Sequence, residues 1–289
     1  MQKLSVVLAT FNEEKNLADC LASVKDIASE IIVVDGGSTD KTVKIAQSFG
    51  AKVIITNNPP IFHINKQKAL DAAKYDWILQ LDADERVSLK LAAEIEKIIT
   101  LDDKEIEKYE NSFPQKDLFQ RHQKLLEKRD GKIGSDTGEY VAFFVPRSNF
   151  FLGRYLRYGG VYPDGVIRLV RRGKAHFPCI DVHEQIAVSG RVGWLTNDLI
   201  HMADPTFKRY LERNNRYTDL MSKQYADEKL KKNVPNMLLY FIAYPFWWFV
   251  LTFFRHKGFL DSWQGFIFSF YSSLRFPISY VKYLKRNSN

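Results

Sequence analysis

Four short apolar runs, at residues 4–9, 31–34, 53–56 and 77–81, recur through the first hundred residues, with helix-like stretches at 16–24, 41–49 and 65–73 between them and another at 89–99. The runs are mostly β-branched and lack the alternation of a strand with one wet face, so each reads as buried on both faces. Strands of that kind, separated by stretches long enough to cross back over a sheet, predict a parallel α/β sheet.

In such sheets ligands bind beyond the carboxyl ends of the strands. Here each run ends in polar residues: Thr10, Asn12 and Glu13 after the first, Asp35-Gly36-Gly37-Ser38 after the second, Asn57-Asn58 after the third and Asp82-Ala83-Asp84 after the fourth. Four strand ends therefore converge on one polar crevice. Asp82 and Asp84 are spaced i and i+2, which in an extended chain points both to one side. Two carboxylates so placed repel unless a cation lies between them, and Mg²⁺ or Mn²⁺ takes carboxylate together with phosphate oxygens. This predicts a nucleotide diphosphate held through a divalent metal; the plainer alternative is a solvated turn. The Asp35 segment is neither a Walker loop nor G-x-G-x-x-G, which weighs against kinases, ATPases and dehydrogenases.

The net charge of +8 is unevenly spread: residues 138–289 carry 22 basic and 11 acidic side chains, whereas residues 1–100 carry 12 and 14. The excess points to a local anionic partner, a phosphate-bearing ligand or an anionic membrane face, and not to nucleic acid. Cys20 and Cys179 stand far apart with no partner motif, so neither a disulfide framework nor a cysteine zinc site is expected. The N-terminal apolar run of about five residues is shorter than the roughly 7–15 of a secretory signal. At the other end, residues 234–254 contain no charge, and as a helix would be roughly 32 Å long. Cations flank this stretch on both sides, and Trp247, Trp248 and Trp263 suit a headgroup boundary. A helix lying in or re-entering one leaflet accounts for that symmetry; a buried core helix is the alternative. The charged segment at 101–137 reads as an exposed helical insertion, and 205–229 as a helix with an aromatic stripe.

The order T-F-N-E-E at 10–14, V-V-D-G-G-S-T-D-K-T at 33–42 and D-A-D at 82–84 resembles the N-terminal half of family-2 inverting glycosyltransferases. Arg147–Arg154, Gly159–Asp164, Arg168-Leu169, Val182-His183-Glu184 and Asn215–Thr218 are similar to the bacterial subgroup that includes lipopolysaccharide core glucosyltransferases. The resemblance implies a GT-A fold, a Rossmann-like nucleotide-diphospho-sugar transferase domain over residues 1–204, with C-terminal membrane-associated helices over 205–289. It implies a UDP-sugar donor, a glycolipid or lipid-linked saccharide acceptor, and a place on the cytoplasmic face of the inner membrane. By the same resemblance Thr10, Phe11, Asn12, Glu13, Asp35, Lys66 and Asp82 bind the nucleotide sugar, with Phe11 against the base. Asp82, Asp84 and a late histidine, His201, are the metal candidates. Inverting transfer needs a general base; Asp181 and Glu184 are the candidates, Glu184 preferred because it closes the subgroup's His-Glu pair. Arg168, Arg171 and Arg172 are candidates to face acceptor phosphates, a solvated basic face being the alternative. Two other readings stay open: a polyprenyl-phosphate sugar synthase, and a non-catalytic nucleotide-sugar-binding membrane scaffold.

Overall fold

The computed structural model describes residues 2–180 and 185–286. They divide into two compact units, one of Met1–Arg147 with Pro163–His201, the other of Ser148–Tyr162 with Met202–Asn289.

In the first unit, β1 (Leu4–Thr10), β2 (Glu30–Asp35), β3 (Lys52–Ile55) and β4 (Trp77–Leu81) are parallel in the order β3-β2-β1-β4. They are joined through α1 (Leu17–Ala22), α2 (Thr42–Ser48) and α3 (His63–Asp71). Val6, Leu8, Val33, Leu79 and Leu81 of the central strands are fully or almost fully buried in one core with Leu17, Leu21 and Ala46 of the helices. Val7, Ile32, Val34 and Ile78, which point to the opposite face, are buried as well, so the sheet is covered on both sides as its unalternating sequence implies. Thr10 lies opposite Asp35 and Leu8 opposite Leu81, so the polar residues that follow these runs emerge at one edge of the sheet.

After β4 come β5 (Glu85–Val87), α4 (Leu89–Ile98), α5 (Asp103–Asn111), α6 (Lys116–Asp130) and β6 (Ser135–Phe151). Ser88 caps α4 by accepting from Leu91 N, and Asp102 and Glu105 form a capping box on α5. The segment at 101–137 is helical as expected, but its inner face is packed. Ile106, Phe113 and Phe119 are buried, and Phe119 stacks on Trp194 at 4.7 Å. Glu110 accepts from Trp194 N at 2.7 Å and from Tyr140 Oη at 2.8 Å, while His122 Nε2 accepts from Gly165 N at 3.0 Å. Its charges occupy the outer face, and those dominate the sequence signal.

β7 (Arg154–Leu156) belongs to the second unit; β8 (Gly165–Arg171), β9 (Ala175–His176), β10 (Ala187–Val188) and β11 (Arg191–Trp194) follow in the first. β8 extends the sheet antiparallel to β4, and β6 in turn pairs antiparallel with β8, which makes the sheet mixed. β12 (Leu199–Asp204) pairs antiparallel with β5, setting His201 opposite Glu85. That turn is fastened by the buried Glu94 carboxylate, which accepts from Thr196 N, Thr196 Oγ1, Asn197 N and Asn197 Nδ2 at 2.6–2.9 Å and also from Tyr109 Oη.

In the second unit, Asn149–Phe151 pairs with β7 around a tight turn at Leu152 and Gly153, both with positive φ (47° and 89°). Phe151 and Leu156 pack with Tyr210 of α7 (Phe207–Asp227) and with Phe268 and Tyr271 of α9 (Ser262–Ser273). Between these helices lies α8 (Val234–Arg255), and α10 (Arg275–Arg286) follows; α10 packs Tyr280 and Tyr283 against Tyr225 of α7. α8 widens to π turns at Leu239–Ala243 and Val250–Arg255. The first wide turn lies just before Pro245, whose ring collides with the carbonyl four residues back and which has no N–H to give. Only 6% of the apolar stretch of α8 is buried, so it is not a core helix of this chain; by length and composition it is able to cross a membrane.

Candidate active site

At the end of β1, Asn12 takes a positive φ of 55°, and the β1 and β2 loops are laced together through it. Its N–H donates to Ser38 Oγ at 2.8 Å, and its Oδ1 accepts from Thr39 N at 2.9 Å. Asp35 is buried, and its carboxylate accepts four bonds from nearby chain: Gly37 N at 3.0 Å and Ser38 N at 2.7 Å on one oxygen, Ser38 Oγ at 2.6 Å and Thr10 Oγ1 at 2.9 Å on the other. A carboxylate has about four acceptor positions, so Asp35 in this arrangement shapes the loop. Gly37, at φ 83°, supplies the left-handed residue that brings those N–H groups round, and a Cβ on Gly36 would come within 3.1 Å of Asn58 Cβ. Phe11 is left exposed beside the loop, while Glu13 holds Asn16 Nδ2 at 2.8 Å and its N–H bonds Thr42 Oγ1 at 2.7 Å.

Residues 82–85 form a turn and not the extended segment that the spacing suggested. Glu85 N donates to Asp82 O at 3.0 Å, and the Glu85 carboxylate accepts from Asp82 N at 2.9 Å, which closes the turn on itself. Asp82 and Asp84 are thereby sent to different partners. One Asp82 oxygen meets Lys66 Nζ and the other Arg168 Nη2, each at 2.5 Å. Asp84 Oδ2 lies 3.7 Å from His201 Nε2.

Arg168 is the hub beneath this turn. It is buried, it donates to Gln80 Oε1 at 2.5 Å and to Glu85 Oε1 at 2.7 Å besides Asp82, and Arg147 approaches Glu85 at 3.7 Å while pairing with Asp164 at 2.9 Å. A guanidinium so buried and committed neither faces an acceptor phosphate nor forms a solvated basic face, the two readings its sequence left open. Burial opposes ionisation of Asp82, but the Arg168 and Lys66 cations outweigh it and hold the carboxyl well below the usual range. Burial likewise opposes the charge on Arg168, and Asp82 and Glu85 overcome it and push its pKa up. Gln80, Glu85, Arg147 and Arg168 were not singled out for this network. The available signal was a polar residue inside an apolar strand, Gln80 in W-I-L-Q-L and Arg168 in V-I-R-L-V, which burial tolerates only when its partners are also buried.

Lys66 is buried, with its ammonium 5.1 Å from the centre of the Phe62 ring. Asp181 and Glu184 lie outside the described residues. Among the described residues no three His, Cys, Asp or Glu side chains gather in a metal-binding group. The described residues therefore offer a divalent ion a pair such as Asp84 and His201. Asp84 Oδ2 and His201 Nε2 would supply one oxygen and one nitrogen ligand, and the rest would come from phosphate and water, as is usual for such metals.

The sequence profile of glycosyl transferase family 2 matches residues 5–173. The glycosyltransferase RT0209 of Rickettsia typhi is 28% identical over 277 residues, 92% of this chain and 82% of its own. The lipopolysaccharide core biosynthesis glycosyltransferase LpsC of Rhizobium meliloti is 25% identical over 290 residues, 94% of this chain and 91% of its own. Glucosyl-3-phosphoglycerate synthase of Mycobacterium tuberculosis, solved with Mn²⁺ and UDP-glucose, aligns over 29% of this chain and 34% of that one, with 28% identity and a TM-score of 0.27.

Proposed function

The chain belongs to glycosyltransferase family 2, and from that premise we propose that it moves a hexose from a UDP-sugar, with inversion, to a lipid-linked or lipopolysaccharide-core type acceptor at the cytoplasmic face of the inner membrane. The observation that carries this reading is the division of labour at the end of β4. Asp82 is neutralised by Lys66 and Arg168, while Asp84 stands with His201. A diphosphate needs cations near it and a limited number of hard ligands for its ion, and both are available within one turn. Residues 1–204 carry the transfer in this reading, and 205–289 the membrane association. The similarity to LpsC along nearly the whole chain supports the acceptor class.

Phe11 offers an exposed ring on which a uracil can lie, and the Asn12 and Glu13 segment borders it. Asp35 keeps that loop in shape through its four bonds, with Thr10 as one of the donors. Lys66 commits one of its three ammonium hydrogens to Asp82 and has others for the departing diphosphate. Asp84 and His201 would hold Mg²⁺ or Mn²⁺, which when bound neutralises charge on the leaving group. Glu184 takes the proton from the acceptor hydroxyl as that oxygen attacks the anomeric carbon from the side opposite the diphosphate. Asp181 is the second candidate for that proton.

The test is release of UDP by purified protein given a UDP-hexose panel, Mg²⁺ or Mn²⁺ and lipid-linked acceptors. Turnover is expected to disappear with a chelator and to fall at least a hundredfold in Glu184→Gln. A Glu184→Gln enzyme with normal turnover moves the base to Asp181, and normal turnover with both carboxylates replaced favours a phosphate acceptor, which needs no base. Donor binding without turnover on any acceptor overturns the enzymatic reading.

A further inference from the structure

Arg275, the first residue of α10, is the cation of the second unit whose partners are least accounted for. Its guanidinium lies 3.9 Å from the Trp248 ring centre and 4.9 Å from that of Phe276, so its flat faces are taken by aromatic rings. The edge that carries its N–H groups is a different matter. Nε is buried and donates to nothing, and no carboxylate among the described residues pairs with the group. Lys282 nearby makes the contrast plain, with Asp219 at 2.9 Å, Asn215 Oδ1 at 2.6 Å and Thr218 Oγ1 at 2.8 Å.

Arg275 lines a cavity of about 300 Å³ that is walled on the α7 side by Asn214, Asn215 and Thr218. Those residues overlap the Asn215–Thr218 motif, to which the transfer chemistry gives no task. The remaining wall is apolar, made by Leu211, Tyr271 and Ile278, and Leu211 and Ile278 are exposed. A stacked guanidinium presents a planar fork that matches two phosphate oxygens. An unpaired buried donor is costly until such an acceptor arrives. Neutral amides and a hydroxyl beside it complete a polar end, and the exposed apolar rim suits a hydrocarbon chain.

We propose that this cavity is a binding site for a phosphate ester carrying an apolar chain, with the Arg275 fork on the phosphate and the tail along Leu211 and Ile278. The chemistry is shared by a bilayer phospholipid and by a lipid-linked acceptor, and this inference rests on the membrane-bound reading above.

The experiment is native mass spectrometry of the full chain released from zwitterionic detergent, with dioleoyl phosphatidylglycerol, geranylgeranyl phosphate and dioleoyl phosphatidylcholine as probes. Wild type is expected to retain the two anionic probes at least tenfold better than phosphatidylcholine. Arg275→Gln should lose that preference, and Arg275→Lys should keep part of it. Ile278→Trp, at an exposed lining position, should block retention with every charge in place, so the proposal stays testable if an Arg275 variant fails to fold. Competition between the anionic probes assigns the site: stronger retention of the prenyl phosphate marks the acceptor, and of phosphatidylglycerol a bilayer lipid. Equal retention of all three probes by wild type overturns the proposal, as does an undiminished preference in Arg275→Gln and Ile278→Trp. Flotation with anionic vesicles is read separately. If wild type floats but shows no probe preference, the cavity assignment alone fails; if it does not float at all, the membrane reading fails.

Discussion

The turn after β4 and the helices around Arg275 treat charge in opposite ways. In the first unit, Glu85 and Arg168 are buried and Asp82 is half-buried, and each finds its counterpart within the same unit. In the second, the apolar face of α8 is uncovered and the Arg275 edge has no carboxylate among the described residues. A folded chain tolerates buried charge when it supplies the partner, and exposed apolar surface when something else does. The contrast therefore marks which part of the molecule is complete by itself and which is built to be completed from outside.

The sharpest way to break the comparison is at the active-site turn. Asp84→Ala is expected to cut metal-dependent turnover about a thousandfold, or about 4 kcal/mol of barrier, with little change in the denaturation midpoint. Asp84 shares its turn but not the Lys66–Asp82–Arg168 pairing, and a large stability loss would show that the two are not separable. Arg168→Met should do the reverse. It leaves the buried Glu85 with only Arg147 at 3.7 Å, and Asp82 with only Lys66, an expected loss of about 3 kcal/mol in urea unfolding.

A smaller effect is expected at His122. Burial lowers its pKa, with Gly165 N bonded to the neutral ring. Since the folded value lies below the unfolded one of about 6.5, the unfolded chain takes up the proton first. Stability from this group is thus full above about pH 6.5 and drains away as pH falls through the lowered folded value. His122→Gln should flatten that acid limb, read as a smaller midpoint difference between pH 7 and pH 5. The mildest change in stability is expected on α8. Trp247→Ser should move the unfolding midpoint by no more than about 0.5 kcal/mol, as for other surface positions, yet weaken binding to anionic vesicles severalfold. A large loss of stability there would mean that α8 is covered by protein.

The strands of the first hundred residues were legible because their burial on both faces is written as uninterrupted apolar runs. The crevice followed from what ends those runs. The closure of Asp82 by Lys66 and Arg168 was not legible, because it joins α3, β4 and β8 across gaps of 16 and 86 residues, and spacing along one strand carries no record of a partner on another. The turn at 82–85 hid for a local reason: Glu85 folds back on Asp82 N, and an i, i+2 pair reads the same whether extended or turned. The packed inner face of 101–137 was masked by charges on its outer face, although Ile106, Phe113 and Phe119 were there to be read.

The two units exchange chain. Residues 148–162 leave the first unit and find their core against Tyr210, more than fifty residues further along, and against Phe268 and Tyr271, more than a hundred further along. At about 5–20 residues per second of synthesis, the hairpin at Leu152-Gly153 waits on the order of 5–20 s for its packing partners to be made. During that interval Phe151 and Leu156 are uncovered on a nascent chain whose sheet strands β1–β4 have already emerged. A truncation after β12 makes the wait permanent, so a soluble fragment ending there should engage chaperones and aggregate even though its nucleotide-binding strands are intact.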